Sequence, residues 1–192
     1  MRRILVAVAA FAVAAGLVGS GQASTSTNSV IHAQKRAHAA TISLFASGFN
    51  NPRGLTFGPD GNLYVAEGGL GGTDSTVGIC PQAHGAAAPY TGSTNNPVLG
   101  GRVSKVTPNG QVSTVVGALP SSQTSAALGS LVSGVSSVAF VRGQLYALLA
   151  GAGCGHGVRT VPNGVIRVDD NGGWTMIANL SAFQAGHPVA AA

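Results

Sequence analysis

Glu67 is the side chain best placed for chemistry. It closes the run Leu63-Tyr-Val-Ala-Glu67, whose short apolar pattern reads as a strand ending in a carboxylate. A carboxylate at that point can ligate a divalent cation such as calcium, or it can hold the amides of the loop that follows. Calcium takes about six to eight oxygen ligands, and no such set is visible around Glu67, so the amide-holding role is favoured while metal binding stays open. Arg53 precedes the same hairpin and can reach an anionic ligand. A salt bridge to Glu67, or a bond to a neighbouring carbonyl, is its favoured structural alternative. His84 and His156 each lie near a cysteine, but Cys80-x-x-x-His84 with Cys154-x-His156 fits no strong zinc pattern. Gly151-Ala-Gly-Cys-Gly-His-Gly157 has the glycines of a phosphate loop without the following helix and lysine, and reads as a flexible loop bearing Cys154. No Gly-x-Ser-x-Gly elbow marks a nucleophile. The candidate ligand-binding residues are therefore Arg53, Glu67, His84 and His156, and no catalytic residue is assigned.

The elements that position these groups occur twice. Phe57-Gly-Pro-Asp-Gly-Asn-Leu-Tyr64-Val-Ala returns as Phe140-Val-Arg-Gly-Gln-Leu-Tyr146-Ala-Leu, with Tyr146 82 residues after Tyr64. Gly101-Arg-Val-Ser-Lys-Val106-Thr-Pro-Asn-Gly110 is echoed by Gly164-Val-Ile-Arg-Val168-Asp-Asp-Asn-Gly172. Gly58-Pro-Asp-Gly61, Pro108-Asn-Gly110 and Asp170-Asn-Gly-Gly173 supply the tight reversals between short β-forming runs. A twice-used unit of strand, tight turn, strand, long loop, strand, tight turn, strand predicts an all-β chain of four-stranded sheets, the repeat from which β-propellers are made. Alternation along the second strand puts Leu63 and Val65 on one face and Tyr64 on the other. Tight turns then gather at one end of each unit. The long segments 67–100, 117–137 and 149–163 gather at the other, the expected binding face. Only short helical turns are expected, near 125–131.

Both cysteines fall in the same interval of their units, between the second and third strands. If the chain is exported to an oxidising compartment, this placement predicts a Cys80–Cys154 disulfide in preference to free or metal-binding thiols. Export is itself expected. Arg2 and Arg3 precede an apolar run over 4–18, shorter than the ~20 residues of a membrane span, and small residues follow at Gly19-Ser-Gly-Gln-Ala23. Residues 1–23 read as a signal peptide, 24–40 as a flexible leader and 41–192 as the folded domain of a secreted protein with no membrane attachment after cleavage.

The net charge of +5 follows the same division. Arg2, Arg3, Lys35 and Arg36 supply four of the positives, and from Thr41 onward six basic residues face five acidic ones. No basic cluster interleaved with aromatics is present, which excludes a nucleic-acid partner. Charged residues make up only 8% of the chain, yet 45% is hydrophobic, so the polar surface is built from Ser, Thr, Asn and Gly on a folded body.

Thr41-Ile-Ser-Leu-Phe-Ala-Ser-Gly-Phe49 resembles the last strand of each unit and is expected to be a closing strand at the N-terminal side. Two units and one such strand cannot complete a ring of roughly four to eight blades. The expectation is an incomplete ring, belonging to a longer chain.

Asn51-Pro-Arg-Gly-Leu-Thr-Phe-Gly-Pro-Asp-Gly-Asn-Leu-Tyr-Val-Ala-Glu67-Gly-Gly69, taken with Gly101-Arg-Val-Ser-Lys-Val106, Val135-Ser-Ser-Val-Ala-Phe140 and the leader, resembles the start of a ScyD/ScyE family protein. These are secreted bacterial relatives of the NHL and SMP-30-like six-bladed propellers. The resemblance implies a propeller, and through the acidic metal ligands of SMP-30-like lactonases it makes Glu67 the position to inspect at a channel mouth. It implies no catalytic motif. The expected function is a non-enzymatic scaffold that binds an extracellular ligand or protein through its looped face, without a cofactor. The alternative is a metal-dependent lactonase-type hydrolase, or a sugar-oxidising enzyme, whose other site residues lie in further blades.

Overall fold

The computed structural model describes residues 41–80, 91–125 and 127–187, so the expected signal peptide, the leader and His84 lie outside the described residues. Every described element belongs to one compact unit, Ile42–Ala192. In chain order these are β1 (Pro52–Phe57), β2 (Leu63–Glu67), β3 (Asp74–Ser75), β4 (Thr91–Ser93), β5 (Gly101–Val106), β6 (Val112–Leu119), β7 (Ser121–Gln123), β8 (Val132–Ser133), β9 (Val135–Val141), β10 (Gln144–Leu149), a 3-10 turn (Cys154–His156), β11 (Gly164–Val168), β12 (Trp174–Asn179) and α1 (Leu180–Gly186). Among the described residues the protein is all-β, apart from that turn and one short helix.

The two repeats form two four-stranded antiparallel sheets, ordered β1-β2-β5-β6 and β9-β10-β11-β12. Three of the four tight turns share one hydrogen-bond scheme. Gly61, Gly110 and Gly172 donate to the carbonyls of Gly58, Thr107 and Asp169, and each glycine has φ near 80° (76°, 82° and 81°), where a Cβ would be strained. The fourth turn, between β9 and β10, is a two-residue reversal through Arg142 and Gly143, both with positive φ, which matches the twist of the flanking strands.

The two sheets face each other across one core. Tyr64, Ala66, Val103, Val116 and Leu119 meet Val135, Val138, Leu145, Ala147, Leu149, Ile166 and Val168. The Tyr64 and Phe140 rings meet edge to face, with centroids 4.8 Å apart and planes at 76°. Leu63 and Val65 pair with Phe57 and Leu55 on the opposite face, as the alternation requires.

Three expectations need correction. The segment 41–49 joins no sheet, and Ile42 and Leu44 are almost fully exposed, although Phe45 passes against the β5–β6 turn at Gly110. The stretch 125–131 forms turns and bends rather than a helical turn among the described residues; the helix lies instead at Leu180–Gly186, capped by the Asn179 side chain accepting from the Ala182 amide. The long segments are not plain loops, since 67–100 and 117–137 contribute β3, β4, β7 and β8 to a third four-stranded sheet, ordered β3-β4-β7-β8.

Candidate functional site

Glu67 is fully buried, and both of its carboxylate oxygens accept hydrogen bonds. Oε1 accepts from Arg102 Nε at 2.7 Å and from the Ser104 hydroxyl, and Oε2 accepts from the Asn50 backbone amide at 2.6 Å. Arg102 sits directly opposite Glu67 in the β2–β5 register, so the pairing is built into the sheet. Arg102 also donates to the Gly48 carbonyl. With Arg102, the carboxylate therefore ties residues 48–50 to the ends of β2 and β5, the amide-holding role, and among the described residues no cluster of three metal-ligating side chains surrounds it. Arg53 does not approach Glu67; it donates to the Val132 carbonyl in β8, which anchors β1 to the third sheet.

The third sheet forms a platform at the looped end. Its interior is rich in serine and glycine, with Gln123 and Val132 also buried, and backbones cross closely at Gly72 and Gly92. The Ser121 hydroxyl donates to the Gly68 carbonyl at 2.6 Å and accepts from the Gly71 amide at 2.8 Å, while the Ser93 hydroxyl donates to the Gly71 carbonyl at 2.8 Å. The Gly68 carbonyl and the Gly71 amide and carbonyl at the crossing thus find partners in side-chain hydroxyls. The segment 149–163 of the second repeat docks against this sheet. Gly92 touches it so closely that a Cβ would lie 2.6 Å from the His156 carbonyl.

Cys80 and Cys154 form a disulfide with a Cα separation of 5.9 Å. Beside it, the Thr76 hydroxyl donates to the Cys154 carbonyl. His156 Nδ1 lies 3.1 Å from the Ser122 hydroxyl, and burial holds the imidazole below its ordinary pKa. Of the four candidate residues, the structure thus brings Arg53 and His156 onto the platform and keeps Glu67 at the end of the interior strand β2.

Two hollows carry polar groups. On the platform, a hollow of about 220 Å³ is lined by Asp74, Ser75, Ile79, Thr94, Arg159 and Thr160, close to the disulfide. Asp74 and Arg159 supply opposite charges, and the hydroxyls of Ser75, Thr94 and Thr160 ring an aliphatic contact at Ile79. A larger cleft, about 290 Å³, opens at the tight-turn end between the two main sheets, where Asp60, Lys105, Asp169 and Asp170 rim a floor containing Tyr64 and Phe140. The turn end is therefore less plain than the sequence suggests. Asp60 there is held below the usual carboxylate range by the Asn62 side-chain amide and the Tyr64 hydroxyl. Tyr64 is pushed up to about 12 by burial and by its bond to Asp60, 2.9 Å long.

Sequence reasoning did not single out Arg102, Ser121 or Arg159. The signal for Arg102 was available, since it occupies the strand position opposite Glu67 once the two hairpins are laid side by side; Ser121 and Arg159 lie in segments with no periodicity to place them. The fold and site define an all-β chain of two facing four-stranded repeats, capped by a disulfide-tied third sheet. The chain matches no family model, no curated protein and no solved structure. Among the described residues no helix is long and apolar enough to cross a membrane.

Proposed function

We propose that this chain is a pair of blades of a secreted ScyD/ScyE-like β-propeller, and that it acts as a non-enzymatic scaffold binding an extracellular ligand on its platform. The observation that carries this reading is the platform itself. A long segment of the first repeat and the connection between the repeats are knitted into one sheet, and Cys80–Cys154 ties the 149–163 segment of the second repeat to it, so a surface that would otherwise be mobile is fixed. A fixed surface loses less entropy on binding, which favours recognition. The disulfide also suits an oxidising, extracellular setting.

The hollow beside the disulfide fits a polyhydroxylated ligand such as a glycan. Sugar hydroxyls both donate and accept, and Asp74, Arg159, Thr94 and Thr160 provide acceptors and donors around a small apolar contact. The engagement of Glu67 by Arg102, Ser104 and Asn50 weighs against the metal-dependent hydrolase. A glycan array probed with the wild-type chain and with Asp74→Asn and Arg159→Ala tests the reading. Saccharide binding that both substitutions weaken at least tenfold supports it; lactone hydrolysis abolished by a chelator, with no glycan bound, would replace it with the enzyme.

A further inference from the structure

The two repeats pack on each other asymmetrically, and that asymmetry leaves two matched faces open. The first repeat presents Tyr64, Ala66 and Val103 to the second, which answers with Val138, Phe140, Leu145, Ala147 and Ile166. Each repeat therefore has a tyrosine-bearing face and a phenylalanine-bearing face. The strand registers fix the equivalences: Phe57 pairs with Leu63 and Leu55 with Val65, just as Phe140 pairs with Leu145 and Val138 with Ala147.

Within the chain, the tyrosine face of the first repeat meets the phenylalanine face of the second. The Leu55 and Phe57 end of the phenylalanine face of the first repeat and the tyrosine face of the second are left over, whereas Val65 and Glu67, further along the first face, are already buried. Leu55 and Phe57 are 64% and 71% exposed, whereas their equivalents Val138 and Phe140 are packed in the core. On the other side, Ser137, Ala139, Tyr146, Leu148 and Val165 line an almost wholly apolar hollow of about 210 Å³. That hollow is the counterpart of the surface which, on the first repeat, receives the second. The charged groups flanking these faces, Arg102 and Arg167, already hold Glu67 and Asp169, so closing the faces leaves neither without its partner.

We infer that copies of this chain associate head to tail, the Phe57 face of one copy closing on the Tyr146 face of the next. In that contact Phe57 takes Tyr146 of the neighbouring copy as Phe140 takes Tyr64 within the chain. Such a contact is heterologous, and it stops growing only if the ring closes. Two repeats per chain make a closed ring of about two to four copies, from the roughly four to eight blades a propeller holds. The inference rests on the packing between repeats and is independent of what the platform binds.

Sedimentation of the full chain tests it. The expected result is a species of about two to four times the 18.9 kDa chain mass. Phe57→Asp and Tyr146→Asp should each abolish closed rings, and an equimolar mixture of the two should give a species of two chains and no larger, because each variant retains one competent face. Ala139→Arg, at an exposed position on the Tyr146 face, should reduce the wild-type species to single chains and serves if Tyr146→Asp fails to fold. A wild-type chain that sediments as a single copy at every concentration overturns the inference while leaving platform binding intact. So does an assembly that survives Ala139→Arg unchanged.

Discussion

Glu67 Oε1 lies 2.7 Å from Arg102 Nε, with the carboxylate fully buried and the arginine side chain 28% exposed. A buried charge whose partner is removed keeps its desolvation cost and loses the attraction that offset it. Arg102→Ala should therefore destabilise the fold by about 3 kcal/mol, the lower end of the range for buried pairs because Arg102 keeps some contact with water. Glu67→Gln should cost less, since an amide oxygen still accepts from Asn50 or Ser104. Urea unfolding at neutral pH reads both. Calcium and a chelator should leave the wild-type midpoint unchanged; a calcium-dependent rise would mean that the carboxylate leaves Arg102 for a metal.

The Cys80–Cys154 bridge closes 74 residues of chain. By the loop-entropy account it removes about 4 kcal/mol of freedom from the unfolded state, so Cys80→Ser with Cys154→Ser should lower stability by about that amount. The loss should be local as well as global. Hydrogen exchange in the reduced protein should quicken in β3, β4, β7 and β8, where strands are two or three residues long, before it quickens in β9 to β12. Uniform acceleration across all three sheets would show that the bridge does not hold the platform in particular.

The main sheets were legible because their signals are local. Turn residues at Gly58–Gly61, Thr107–Gly110 and Asp169–Gly172 dictate the reversals, and the Tyr64 to Tyr146 repeat makes one strand reading support the other. The Cys80–Cys154 pairing was legible for the same reason, since it needed only the equivalence of two intervals. The platform was not. Its strands are too short for alternation to register, and what joins them is close backbone approach at Gly72 and Gly92 together with hydroxyl bonds from Ser93 and Ser121, which leave no periodic trace. Glu67 was recognised as a strand-end carboxylate, but its partner depends on which strand lies alongside β2, a non-local fact. Thr41–Phe49 misled in the opposite way: its apolar alternation is that of a strand, and pattern alone cannot supply the edge on which a strand must pair.

Tyr64 offers a spectroscopic test of the turn-end cleft. Its hydroxyl donates to Asp60 while its ring packs edge-on against Phe140, so ionising it would set a buried phenolate beside a carboxylate. In ultraviolet titration it should ionise at about 12, later than the ordinary tyrosine value near 10. The unfolded chain releases that proton first, so stability should fall as pH rises from about 10 towards 12. Asp60→Asn removes the charge that opposes ionisation and should bring the transition earlier. An unchanged transition in that variant would assign the whole effect to burial.

His156 should make the platform sensitive to mild acid. The imidazole is held neutral by burial, with Nδ1 beside the Ser122 hydroxyl of β7. A histidine in the unfolded chain takes up a proton near pH 6.5, whereas the folded protein resists it to a lower pH. Over that window the unfolded state binds more protons, so stability present above about pH 6.5 is lost as the pH falls towards the folded value, and the loss levels off once both states are protonated. Asp60, an exposed carboxylate with a lowered pKa, contributes only further down, below about pH 4. The melting temperature should therefore drop between about pH 7.5 and 5.5, and His156→Gln, which keeps a polar group near Ser122 without a titrating ring, should flatten the drop. Equal slopes in the wild type and the variant would place the sensitivity in another group. A flattened slope accompanied by unchanged exchange at β7 in acid would show that the proton acts on the 3-10 turn alone and does not reach the third sheet.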